Sequence, residues 1–133
     1  MPLSKIQDIG NQVVPNLGRR NVIINGAMNI AQRGTSSTGL GATDGYYTCD
    51  RWKVDFNNTS GRLTMTQDSS APVGFANSMK LACTTADTSI ASDEQFKLEQ
   101  KIEGQNLQAF AKGTSSAKAF AVSFYAVSYT HLT

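Results

Sequence analysis

The sequence predicts an all-β protein, a β-sandwich closed over an apolar interior. Three observations carry this. Trp52, Val54 and Phe56 alternate with Arg51, Lys53 and Asp55, so one face of that stretch is apolar and the other charged. Further alternating stretches recur at roughly dozen-residue intervals along the chain. Between them lie clusters of Gly, Ser, Thr and Asn, the residue types of turns.

The elements follow in order. Residues 1–20 read as a separate arm or linker: Leu3, Ile6 and Ile9 have helical spacing, but Gly10 and Pro15 interrupt the run. The sandwich begins at Asn21. Val22–Ile24 and Met28–Ile30 are two apolar runs on either side of Asn25-Gly26. That dipeptide suits a tight hairpin or a bulge in one long strand, and the early stop at Arg33-Gly34 favours the bulge. Thr35–Gly45 is rich in Ser, Thr and Gly and reads as a loop.

Cys49–Phe56 gives the clearest strand, followed by a turn at Asn57–Gly61. Arg62–Gln67 alternates, with Leu63 and Met65 on one face. Ser78–Thr84 alternates again, pointing Met79, Leu81 and Cys83 inward. Phe96–Ile102 is a long strand with Phe96, Leu98, Gln100 and Ile102 on one face. Over residues 105–112 the period changes: Leu107, Phe110 and Ala111 fall at i, i+3 and i+4 before Gly113, which predicts a short helix with a glycine stop. Ala117–Ala126 is a final strand, with Phe120, Val122 and Phe124 on one face.

Composition bounds the function. The 133 residues suffice for one domain with a core. Net charge is +2 and the basic residues are scattered, which argues against a nucleic-acid partner. No apolar run reaches membrane-span length, so no membrane insertion is expected. The N-terminus lacks the apolar stretch of a signal peptide. Cys49 and Cys83 are the only cysteines, and no His/Cys grouping has zinc spacing. Both thiols are therefore expected to be free and buried, and neither a metal nor another cofactor is expected.

Four strings in order carry a family resemblance: NVIINGAMNIAQRG over Asn21–Gly34, DRW over Asp50–Trp52, QKIEG over Gln100–Gly104, and KAFAVSF over Lys118–Phe124. Together they resemble phage virion proteins of the tail-fibre or receptor-binding type, whose jelly-roll domain is akin to carbohydrate-binding modules. The resemblance implies an antiparallel jelly-roll-like β-sandwich over residues 21–126 and a non-enzymatic role on the virion tail. It implies other virion proteins as partners, host-surface glycan as ligand, and homotrimer assembly after synthesis in the bacterial host cytoplasm. Two alternatives stand beside it. One is a purely architectural module in subunit packing. The other is the N-terminal part of a glycan-degrading tail protein. The family pattern continues past Phe124 through further strands, whereas this chain closes on VSYTHLT. That string resembles translated sequencing adapter, so residues 127–133 are expected to be a non-native tail and the jelly roll to be truncated at its C-terminus.

Site candidates fall into two groups. Tyr46 and Tyr47, in a glycine-rich loop, and Arg51, beside Trp52, are the candidate ligand contacts, because tyrosine offers contact area with a hydroxyl and loops carry binding on sandwich folds. Trp52, Asp50, Arg33, Gln100 and Glu103 read as structural anchors: Trp52 shares a face with Val54 and Phe56, Asp50 sets a strand end with Arg33 as a partner, and Glu103 serves the turn before Gly104. No catalytic residue is assigned. The carboxylates Asp50, Asp55, Glu99 and Glu103 cannot be placed as the pair glycoside hydrolysis needs, and the only histidine, His131, lies in the suspect tail.

Overall fold

The computed structural model describes residues 21–128. The 1–20 arm, and His131 with the rest of 129–133, lie outside the described residues. Ile23–Lys101 forms one compact unit, and the described stretch from Ile102 onward belongs to a second.

The first unit is all-β. Five strands run in chain order: β1 (Ser36–Leu40), β2 (Lys53–Asn57), β3 (Arg62–Asp68), β4 (Ser78–Thr85) and β5 (Gln95–Glu99). They form a three-stranded sheet of order β1-β3-β4 and a two-stranded sheet of order β2-β5, antiparallel throughout. In the first, Leu63 faces Cys83 and Met65 faces Leu81. In the second, Val54 faces Leu98 and Phe56 faces Phe96, the two rings stacking at 5.5 Å between centroids. The sheets meet in one core, because Leu40 and Met65 from the larger sheet and Val54 from the smaller are buried together. Tyr47, Trp52, Phe56, Leu63 and Met79 pack around them. This is a sandwich: each sheet has one apolar face, and neither can bury it alone.

Several segments differ from the expectation. Val22–Ile30 forms no strand. Asn25 and Met28 adopt φ of 54° and 55°, and the chain turns over residues 24–27 with Met28 N–H donating to the Asn25 carbonyl at 3.1 Å. Left-handed backbone at two such positions ends any extended run. Residues 36–40, read as loop, are β1. Their composition carries no apolar alternation, and pairing with β3 makes the strand, bulged between Ser37 and Leu40. The Cys49–Phe56 strand begins only at Lys53, since Arg51 has φ of 74° and Trp52 N–H closes a turn onto the Cys49 carbonyl. The Phe96–Ile102 strand stops at Glu99.

Just past β1, Gly41 is irreplaceable in shape. Its φ is 150°, and a Cβ there would lie 2.3 Å from the Gly61 carbonyl oxygen.

In the second unit, Gly104–Phe110 is a 3₁₀ helix. It ends on Ala111 in the left-handed region, φ 47°, rather than on Gly113. The expected strand Ala117–Ala126 belongs to no sheet among the described residues, and Phe120, Val122 and Phe124 are exposed. Alternation alone does not make a strand where no neighbouring strand supplies hydrogen bonds.

Candidate functional site

The loops at one end of the β2-β5 sheet are held together by a single side chain. Asn25 donates through Nδ2 to the carbonyls of Ile30 and Asp50, both at 2.9 Å, and accepts from Ile30 N–H at 3.0 Å. Its own carbonyl accepts from the Trp52 indole at 3.1 Å. Asp50 N–H donates to the Ile30 carbonyl at 2.8 Å, and Gln32 N–H donates to the Asp50 carboxylate at 3.3 Å. Asn tolerates positive φ and brings both a donor and an acceptor, which is what this clasp requires. Gln100 extends it. Its amide donates to the Ile24 carbonyl at 2.7 Å and accepts from Ile24 N–H at 2.8 Å, imitating a strand neighbour.

The clasp places Arg33 beside Asp50, with Nη1 and Oδ1 3.7 Å apart. The same guanidinium lies over the Tyr46 ring, 5.7 Å from its centroid. Tyr46 is fixed from the other side. Gly45 and Val54 exchange two backbone hydrogen bonds, of 3.0 and 2.9 Å, immediately before it. Asp44 and Lys53 flank that bridge and pair at 3.2 Å, Lys53 reaching Asp55 as well at 3.1 Å. The Phe56 N–H donated to Asp44 at 2.8 Å, with Lys53 adding to it, holds the Asp44 carboxyl below the usual carboxylate range. Asp55 and Asp44 raise the Lys53 ammonium in turn.

The candidates thus separate. Tyr46 remains 37% exposed, with the Arg33 guanidinium over its ring and Asp50 paired to that guanidinium. Tyr47 packs against the core and donates its hydroxyl to the Thr43 carbonyl at 2.6 Å. Trp52 also packs against the core. Arg51 turns away to donate to the Lys101 carbonyl at 3.1 Å. Glu103 precedes the 3₁₀ helix and accepts from the Asn106 side chain at 3.1 Å. The sequence marks Asn25-Gly26 only as a turn or bulge dipeptide, and the clasp made by the Asn25 side chain depends on the distant Asp50 and Trp52.

The thiols correct an expectation. Cys49 is buried and burial pushes its thiol up, but Cys83 is exposed on β4. β4 is an edge strand, and nothing in the described residues covers that end of its apolar face.

Among the described residues no group of three His, Cys, Asp or Glu is placed to hold a metal ion, and no helix is long and apolar enough to cross a membrane. The chain matches no protein-family model, no curated protein sequence and no solved structure. Fold and site together define an all-β sandwich module bearing a surface cluster of one aromatic ring, one guanidinium and one carboxylate.

Proposed function

We propose that this chain is a non-enzymatic phage virion protein of the tail-fibre type, whose sandwich presents Tyr46, Arg33 and Asp50 to host-surface glycans. The four ordered strings over Asn21–Phe124 support the virion assignment by resemblance. One observation carries the ligand class. Tyr46 is an exposed aromatic just after the Gly45–Val54 bridge, with the Arg33 guanidinium over its ring and that guanidinium 3.7 Å from the Asp50 carboxylate. A sugar ring presents C–H faces to an aromatic and hydroxyls to charged groups, so this combination suits it. Single contacts of this kind are weak, and assembly into a homotrimer multiplies them by avidity.

The test is a glycan array probed with the full chain, followed by Tyr46→Ala and Arg33→Ala. Each substitution is expected to weaken binding by roughly tenfold, the size of one aromatic or cation contact. Tyr47→Phe, which alters a hydroxyl turned to the backbone, is expected to leave binding unchanged. Binding that persists after Tyr46→Ala removes this surface from consideration.

A second reading, an architectural virion module, is favoured by a different observation. The core-side faces of β4 and β5 leave Leu81, Phe96 and Leu98 between 37% and 45% exposed, as a packing module would. An array with no signal from the wild-type chain selects this reading.

A further inference from the structure

We infer that Asn25-Gly26 is a self-modification site, where imide chemistry makes the clasp a one-way latch. The folded state suppresses the reaction, and a chain that has reacted cannot close the clasp again. This goes beyond glycan recognition and does not depend on it.

The reactants lie side by side in the chain. Asn25-Gly26 is the only Asn-Gly pair in the sequence. In such a pair the backbone nitrogen of the glycine attacks the asparagine side-chain carbon Cγ, because glycine has no Cβ to obstruct the approach. The N–Cγ bond forms, the Cγ–Nδ2 bond breaks, and Nδ2 leaves as ammonia, taking up the Gly26 amide proton. Water then opens the cyclic imide. Addition at Cγ gives aspartate, and addition at the main-chain carbonyl carbon gives isoaspartate. Nothing is oxidised or reduced. Water is the only co-reactant, and it reaches the turn because Gly26 is exposed.

The fold opposes the first step at both side-chain atoms. Ammonia leaves only after Nδ2 gives up the Ile30 and Asp50 carbonyls, each at 2.9 Å. Cγ swings toward Gly26 only after Oδ1 gives up the Ile30 N–H at 3.0 Å. The Asn25 backbone is held as well, its carbonyl accepting from the Trp52 indole and from Met28 N–H, both at 3.1 Å. The reaction therefore waits on local opening of the turn.

The products do not fit the clasp. An aspartate carboxylate brings no donor, so it meets the Ile30 and Asp50 carbonyl oxygens acceptor against acceptor. Isoaspartate also lengthens the main chain by one carbon and shifts the carbonyl that Trp52 holds. Asp50 carries the pairing with Arg33, so the change at the turn passes on to the exposed cluster.

The test incubates the full chain at neutral pH, in native buffer and in guanidinium chloride, and follows aspartate and isoaspartate at residue 25 by peptide mass spectrometry. The native chain is expected to react about a hundredfold more slowly than the unfolded one, the factor that three net hydrogen bonds supply. Gln100→Ala frees Ile24 beside the turn, and it is expected to speed the native reaction while leaving the unfolded rate unchanged. Should it not fold by circular dichroism, Gln100→Glu, which keeps the acceptor and loses the donor, takes its place. Gly26→Ala is expected to slow the reaction in denaturant, where folding plays no part. Reacted chain, separated by ion exchange through its added negative charge, is expected to unfold at lower denaturant than fresh chain. Equal rates in the native and unfolded chain, a native rate unmoved by the Gln100 variant, an unfolded rate unmoved by Gly26→Ala, or a reacted chain as stable as the fresh one overturns the proposal.

Discussion

At the scale of single residues, Asn25 ties three backbone groups through one side chain. A hydrogen bond within a protein contributes about 1 kcal/mol net, and Asn25 makes three through its side chain while holding a left-handed backbone. Asn25→Ala removes all three and places alanine at positive φ, so a loss of about 3 kcal/mol is expected in chemical denaturation. Asn25→Asp keeps the acceptor and loses both donors, and is expected to fall between the wild type and alanine. A wild-type midpoint in the alanine variant would show that the clasp is not needed. The cysteines give a second measurement. In the native protein a thiol reagent is expected to modify Cys83 quickly and Cys49 only after unfolding, because Cys49 is fully buried and its thiol is pushed up. Two fast thiols would contradict the position of Cys49 in the core.

At the scale of elements, charged side chains tie one loop to another. The turn after β2 is tied to the β4–β5 connection by carboxylates. Ser60 N–H donates to the Asp87 carboxylate at 2.8 Å, Ser89 N–H donates to it at 3.1 Å, and the Asn58 side chain donates to the Asp93 carboxylate at 2.5 Å. The Ser89 and Ser60 N–H groups hold the Asp87 carboxyl below its ordinary range. Its folded pKa is therefore lower than its unfolded one. The stability it contributes is complete above the unfolded value and is lost as pH falls through the folded value. Asp87→Asn is expected to flatten the acid limb of a plot of urea midpoint against pH below about 4. An unchanged slope would assign the acid sensitivity to other carboxylates, Asp44 first among them. The same scale shows which strands were legible. β3 and β4 stand where their alternation put them, since each has a neighbour that hydrogen-bonds along its length. β1 was invisible because Ser36, Ser37 and Thr38 carry no apolar pattern and gain their strand only from β3. Residues 117–126 have the pattern and, among the described residues, enter no sheet.

At the scale of the whole molecule, β4 and β5 each pair on one side only among the described residues, and that decides how surface and interior divide. Val54 and Met65 are fully buried, while Leu81, Phe96 and Leu98, on the same faces one strand further out, are half in water. The interior is accordingly small. The candidate site is also a product of the whole fold. Arg33 precedes β1 while Tyr46 and Asp50 lie in the connection between β1 and β2, so no local pattern in the chain announces that they meet. Tyr46 and Tyr47 look alike in sequence. Only the core contact and the Thr43 hydrogen bond of the second tell them apart.

The sequence by itself determined the all-β class and the inward rows of β2 and β3, because a two-residue period is a local property of the chain and needs no neighbour to be read. Tertiary structure decided the turn at Asn25, the birth of β1, the exposure of Cys83 and the meeting of Arg33 with Tyr46. Each of these depends on hydrogen bonds or packing between residues far apart along the chain, and such contacts exist only once the sheets have come together.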